Sequence, residues 1–237
     1  MNQVIDLVNN TIVERGKLHI GVVNAAKMIN MRRNPVLYND VISSDIILAD
    51  GKSVVFASRL LRRGLPERVA GIDIMLQVLE RGNQERYRVY LFGATEEVSI
   101  RVAQEVNRRY PGIKLVGRRN GYFSEADEQS IAADIAQSTP DVLFVAMTSP
   151  KKEKFLARWG GRIGVPVCHG VGGSFDVMAG KVQRAPLAWQ RLGLEWLYRL
   201  KQEPRRMLKR YLVTNTLFCF FLLRELTAMW NARRDAV

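Results

Sequence analysis

Five short clusters in this 237-residue chain hold residue types that could do chemistry, and each follows an apolar run. They are Asn24, Asp50-Gly51, Gly93-Ala94-Thr95, Ser149-Pro150-Lys151-Lys152-Glu153 and Gly170-Val-Gly172-Gly173-Ser-Phe-Asp176. The last is the richest. Its glycines permit close backbone approach, and successive amides there could be aimed at a diphosphate. No Gly-Lys-Ser/Thr follows, so it is not a P-loop. Its place late in the chain is not that of a dinucleotide-binding fingerprint. The alternative is a plain turn from strand to helix. Asp50 stands after Ile46-Ile-Leu-Ala49. A carboxylate there could take a proton from a sugar hydroxyl as general base, or it could cap a helix starting near Ser53. Ser149 to Glu153 opens a helix whose N-terminus could hold an anion beside Lys151 or Lys152; two solvated lysines are the other reading. Arg68, before Val69-Ala-Gly71, has the same two readings.

These clusters need elements to place them. Strand-like apolar runs fall at 19–23, 45–48, 88–92, 113–116, 142–146 and 165–171, with helical patterns at 25–30, 54–62, 73–81, 96–109, 125–137 and 152–159. Such alternation predicts an α/β fold: a Rossmann-like, mostly parallel sheet with helices on both faces. In such sheets ligands bind beyond the carboxyl ends of the strands, which is where the five clusters fall. Thr95 is placed to cap the helix after it, with Glu96 and Glu97 in its first turn. Tyr110-Pro-Gly112 ends that helix.

The composition changes near Arg184-Ala-Pro186. Residues 1–190 read as the core and 191–237 as a basic, amphipathic helical appendage. The net charge is +13, and from Arg199 onward nine Lys/Arg stand against three Asp/Glu. That charge implies an anionic partner: a phosphorylated substrate, phospholipid or nucleic acid. Arg199, Arg205, Arg206, Lys209 and Arg210 could grip a pyrophosphate. They could equally lie on an anionic membrane with Trp189, Trp196 and Trp230 near the interface. No nucleic-acid reading motif is present.

Cys168 and Cys219 have no metal spacing and read as buried, reduced thiols. The two histidines, His19 and His169, read as structural. No Asp-x-Asp occurs, so no metal site is expected. The N-terminal residues lack the pattern of a secretory signal. The longest uninterrupted apolar run near the C-terminus, 217–223, is too short to span a bilayer, so no spanning helix is expected.

Taken together, the ordered blocks resemble the WecG/TagA/CpsF family of bacterial glycosyltransferases. The blocks are Asn24-Ala25, Ala49-Asp50-Gly51, Leu65-Pro-Glu-Arg68-Val-Ala-Gly71-Ile-Asp73, Leu91-Phe-Gly93, Asn120-Gly-Tyr-Phe123, Ser149 to Glu153, Gly170 to Asp176, Arg184-Ala-Pro186 and Glu195-Trp-Leu-Tyr-Arg199. The resemblance implies an inverting, metal-independent transferase without a cofactor. It implies transfer from a UDP-sugar donor to a polyprenyl-diphosphate-linked sugar acceptor, peripherally at the cytoplasmic membrane face, in the synthesis of capsule, exopolysaccharide or another surface glycan. It implies Asp50 as the base. Asn24, Arg68, Gly93, Thr95, Ser149, Lys152, Glu153, Gly172, Gly173 and Asp176 would line the substrate crevice, and the tail arginines would meet acceptor or lipid. Two positions depart from the family pattern: Val22-Val-Asn24 stands where Thr-x-Asn is frequent, and Lys152 stands where Gln is frequent. Both leave the transferred sugar open. The oligomeric state is open too, a homo-oligomer included. The rival reading is a non-catalytic basic module that binds membrane or nucleic acid; UDP binding would discriminate the two.

Overall fold

The computed structural model describes residues 1–234. The strands are β1 Leu18–Val23, β2 Ile46–Ala49, β3 Arg88–Gly93, β4 Lys114–Arg119, β5 Val142–Ala146 and β6 Val167–Gly170. They form one six-stranded sheet in the order β2-β1-β6-β5-β3-β4, and β1–β6, β6–β5, β5–β3 and β3–β4 pair in parallel. The helices are α1 Asn2–Val13, α2 Ala25–Arg33, α3 Pro35–Ile42, α4 Lys52–Leu60, α5 Gly71–Glu85, α6 Glu96–Arg109, α7 Glu128–Gln137, α8 Lys151–Trp159, α9 Ser174–Met178, α10 Leu187–Leu192, α11 Glu195–Gln202 and α12 Pro204–Arg234. This is the α/β architecture that the alternating pattern predicts. Helices α1 and α3 go beyond the predicted set.

The chain divides into two compact units. The first holds residues 1–22, 36–47 and 70–183; the second holds 23–35, 48–69 and 184 onward. In the first, the middle strands are continuous apolar runs because neighbours cover them: every residue of β5 is buried. Tyr90, Phe92, Ile131, Ile135, Leu143, Val145 and Phe155 form one cluster. Each large side chain so buried stabilises by about 1.5–3 kcal/mol relative to exposure. No residue of the edge strand β4 is fully buried. Tyr90 donates from its hydroxyl to Asp134 at 2.5 Å, which satisfies the polar end of a buried ring.

In the second unit α12 packs along α2, where the Arg32 guanidinium lies 4.1 Å from the Phe221 ring centre. Trp196 stacks edge-on against Tyr211, and Trp189 against Tyr198. Two expectations are corrected here. Residues 207–232 of α12 form a helix long and apolar enough to cross a membrane, by length and composition, and only 6% of its apolar window is buried. Short polar and charged clusters, Lys209-Arg210, Thr214-Asn215-Thr216 and Arg224-Glu225, break that stretch into apolar runs that are each too short to span alone. And Cys219 is exposed on α12; Cys168 alone is buried, its thiol pushed up to about 12 by burial.

Candidate functional site

In the second unit, Asp50 leaves β2 with its backbone N–H donating to the Val23 carbonyl at 2.7 Å. Gly51, not Asp50, occupies the N-cap position of α4, and no side chain caps that helix there. The Asp50 carboxylate instead stands 3.7 Å from Arg68 Nη2 and is about one-third exposed. The loop carrying Arg68 is pinned by the Val69 N–H, which donates to the Ala49 carbonyl at 2.9 Å. Arg68 also donates to Glu195 Oε2 of α11 at 2.7 Å. Asn24 caps α2: its side chain accepts from the Lys27 N–H at 3.0 Å. A Cβ on Gly51 would lie 3.7 Å from Asn24 Cβ, so these two loops run side by side. Lys52 donates from Nζ to the Arg191 carbonyl and closes the last turn of α10. Arg199, Arg205, Lys209 and Arg210 are exposed. The side chain of Arg206 lies outside the described residues.

In the first unit, the strand-end loops are shaped by backbone requirements. Gly93 has φ +126°, and a Cβ there would sit 2.3 Å from the Ala146 carbonyl oxygen. No L side chain fits. Ala94 follows at φ +58°, and its carbonyl accepts from the Gly121 N–H at 2.8 Å. Thr95 caps α6 as expected, accepting from the Val98 N–H at 3.3 Å. Gly172 has φ +54°, with open space where a Cβ would be. Gly173 has φ −77° and needs no glycine. Asp176, half-buried in α9, accepts at its backbone carbonyl from Lys181 and Val182 and so turns the chain after that five-residue helix.

The 149–153 cluster divides its two lysines. Lys151 donates to the Gly121 and Phe123 carbonyls at 3.0 and 3.1 Å and lies over the Phe123 ring. Its charge secures that loop. Lys152 is 2.7 Å from Glu153 Oε1, and both side chains are about nine-tenths buried. Its stem crosses the end of β6, where a Cβ on Gly170 would lie 3.1 Å from Lys152 Cε. Ser149 Oγ is buried without a hydrogen-bond partner among the described residues. Asp40 of α3 belongs to the same surroundings: burial, then the nearby Glu153 charge, push its carboxyl above the ordinary range.

The sequence gives no site role to Asp40, and Glu195 enters it only as the start of the Glu195 to Arg199 block. Glu195 lies 127 positions from its partner, and no local pattern announces such a pair. Among the described residues no three of His, Cys, Asp and Glu stand together as a metal-ligand set.

Residues 1–232 match the model of the "Glycosyl transferase WecG/TagA/CpsF family". Over 170 residues, 71% of this chain, the sequence is 41% identical to the N-acetylglucosaminyldiphosphoundecaprenol N-acetyl-beta-D-mannosaminyltransferase of Bacillus spizizenii, and equally to the protein of that name from Bacillus subtilis strain 168. The match spans 65% and 66% of the length of these two relatives.

Proposed function

The chain belongs to the WecG/TagA/CpsF glycosyltransferase family, and on that premise we propose that it moves a sugar from a UDP-sugar to a sugar carried on a polyprenyl diphosphate, inverting the anomeric centre. The names of the relatives suggest the first pair to try: N-acetylmannosamine as the transferred sugar and lipid-diphosphate-linked N-acetylglucosamine as the acceptor. The observation that carries the reading is Asp50, a partly exposed carboxylate directly after β2, held beside a guanidinium. In the reaction an acceptor hydroxyl attacks the anomeric carbon. Its proton passes to Asp50 as the new C–O bond forms. The bond to the donor's diphosphate breaks, and UDP leaves with the electron pair. Arginines, with the Gly173 backbone amide of the glycine loop, offset the charge that develops on UDP. No metal is assigned to that task.

The lipid-linked acceptor calls for a membrane surface, and α12 suits one. Leu208, Leu212, Leu223 and Trp230 are exposed on one strip of that helix, and Arg205, Lys209 and Arg210 lie near its start. Each such basic residue contributes about 1 kcal/mol at an anionic surface. The test is product analysis with a panel of UDP-sugars and a short-chain lipid-diphosphate acceptor, with and without EDTA. Transfer that survives EDTA supports the reading. Transfer that stops on chelation and returns with one metal contradicts the leaving-group chemistry. UDP-sugars neither bound nor consumed would favour the rival binding module.

A further inference from the structure

Arg68 stands between two carboxylates of its own unit. Nη2 is 2.7 Å from Glu195 Oε2 and 3.7 Å from Asp50 Oδ1. The first is a charge-assisted hydrogen bond; the second is an ion pair beyond hydrogen-bonding range. The Arg68 side chain is only 16% exposed. A guanidinium in so dry a place closes on a nearby carboxylate unless another acceptor claims it. Here Glu195 claims it. The other oxygen of Glu195, Oε1, is buried and has no hydrogen-bond partner among the described residues. Its bond to Arg68 is therefore what orients this carboxylate, at the cost of one unmet acceptor.

We propose that Glu195 is a positioning residue for the transfer reaction: it holds Arg68 just short of a hydrogen bond with Asp50, so that the Asp50 carboxylate keeps its strength as a base. The proposal rests on the general-base reading of Asp50. A guanidinium bonded directly to a carboxylate stabilises the charged form and weakens its pull on a proton. With Glu195 removed, Arg68 swings onto Asp50 Oδ1 and turnover falls. Residues on α11 thus act on the chemistry through the first residue of that helix.

The test compares Glu195→Ala, Glu195→Gln, Asp50→Asn and the double variant Asp50→Asn/Glu195→Ala, each checked for an intact thermal transition, in steady-state transfer to a soluble acceptor. General-base assistance is worth about 10²–10⁴ in rate. Weakening it in Glu195→Ala should lower kcat about tenfold or more while the donor KM stays within about twofold. Glu195→Gln keeps a carbonyl oxygen for Arg68 and should recover most of the rate. The double variant should be no slower than Asp50→Asn alone, because Glu195 acts through Asp50. Wild-type kcat in Glu195→Ala, a loss confined to KM, equal losses in Ala and Gln, or additive losses in the double variant would each overturn the proposal. Near wild-type turnover in Asp50→Asn would instead sink the reading of Asp50 itself, and the two failures are separable.

Discussion

Acidification should destabilise the protein through His169. This side chain lies in β6, 1% exposed, with Nε2 3.0 Å from the Gly71 carbonyl at the start of α5. In the neutral ring Nε2–H donates there, and burial favours that neutral form. Burial is the main cause that drives its pKa from 6.5 down to about 4. The Gly71 and Ile20 carbonyls oppose this in part, while the His19 and Lys152 charges add to it. The unfolded chain takes up the proton near pH 6.5; the folded chain resists until about pH 4. The contribution to stability is therefore fully present above pH 6.5, falls as the pH drops through that window, and is gone below about 4. At about 1.4 kcal/mol per tenfold change in proton affinity, the loss is about 3 kcal/mol. That is a large share of an ordinary stability of about 5–15 kcal/mol. Carboxylates titrate in the same range, so the measurement is a difference. Urea unfolding of the wild type and of His169→Gln, which keeps a donor for Gly71, is followed at pH 7, 6, 5 and 4.5. The wild type should lose about 2–3 kcal/mol more than the variant across that series. Parallel losses in the two proteins would refute the argument.

Other consequences follow from backbone and thiol geometry. Gly93→Ala places a Cβ against the Ala146 carbonyl and should cost at least about 2 kcal/mol, read as a lowered Tm. Gly172→Ala meets open space and should cost only about 1 kcal/mol through its positive φ. If the glycine loop serves the diphosphate, calorimetry should show UDP affinity falling further than stability does. A thiol reagent should label Cys219 rapidly and Cys168 only on unfolding. A polarity-sensitive dye on Cys219 should shift to the blue on anionic vesicles and return in high salt; an unchanged spectrum would count against membrane contact through that face of α12.

Much of the fold could be read from the chain because its central strands are buried on both sides and appear as plain apolar runs, such as 142–146. Thr95 and the Tyr110-Pro-Gly112 stop were equally legible, since each acts through its immediate neighbours. Helix α1 is hard to read because its Asn-rich, β-branched sequence has weak helical propensity, although Val8 and Ile12 keep the four-residue spacing of a buried face. Helix α3 begins at Pro35, a residue suited to the first position of a helix, but its eight residues are too few to show a helical period. The strand order, with β6 beside β1, depends on contacts that periodicity does not encode. The candidate site divides in the same way. Asp50 and the glycine loops stood out by position after strands. The ion pair joining residue 68 to residue 195 and the pairing of Lys152 with Glu153 depend on side-chain placement in three dimensions. The second matters for specificity: the Lys152 charge is already matched by a buried carboxylate.

The central claim is that Asp50 takes the acceptor's proton. Asp50→Asn preserves the size of the side chain and removes the base. Transfer from the preferred UDP-sugar to a soluble lipid-diphosphate acceptor, measured beside UDP-sugar binding by calorimetry, tests it directly. The account predicts a kcat lower by about 10²–10⁴ with donor affinity nearly unchanged. An Asn variant that turns over at close to the wild-type rate would contradict it.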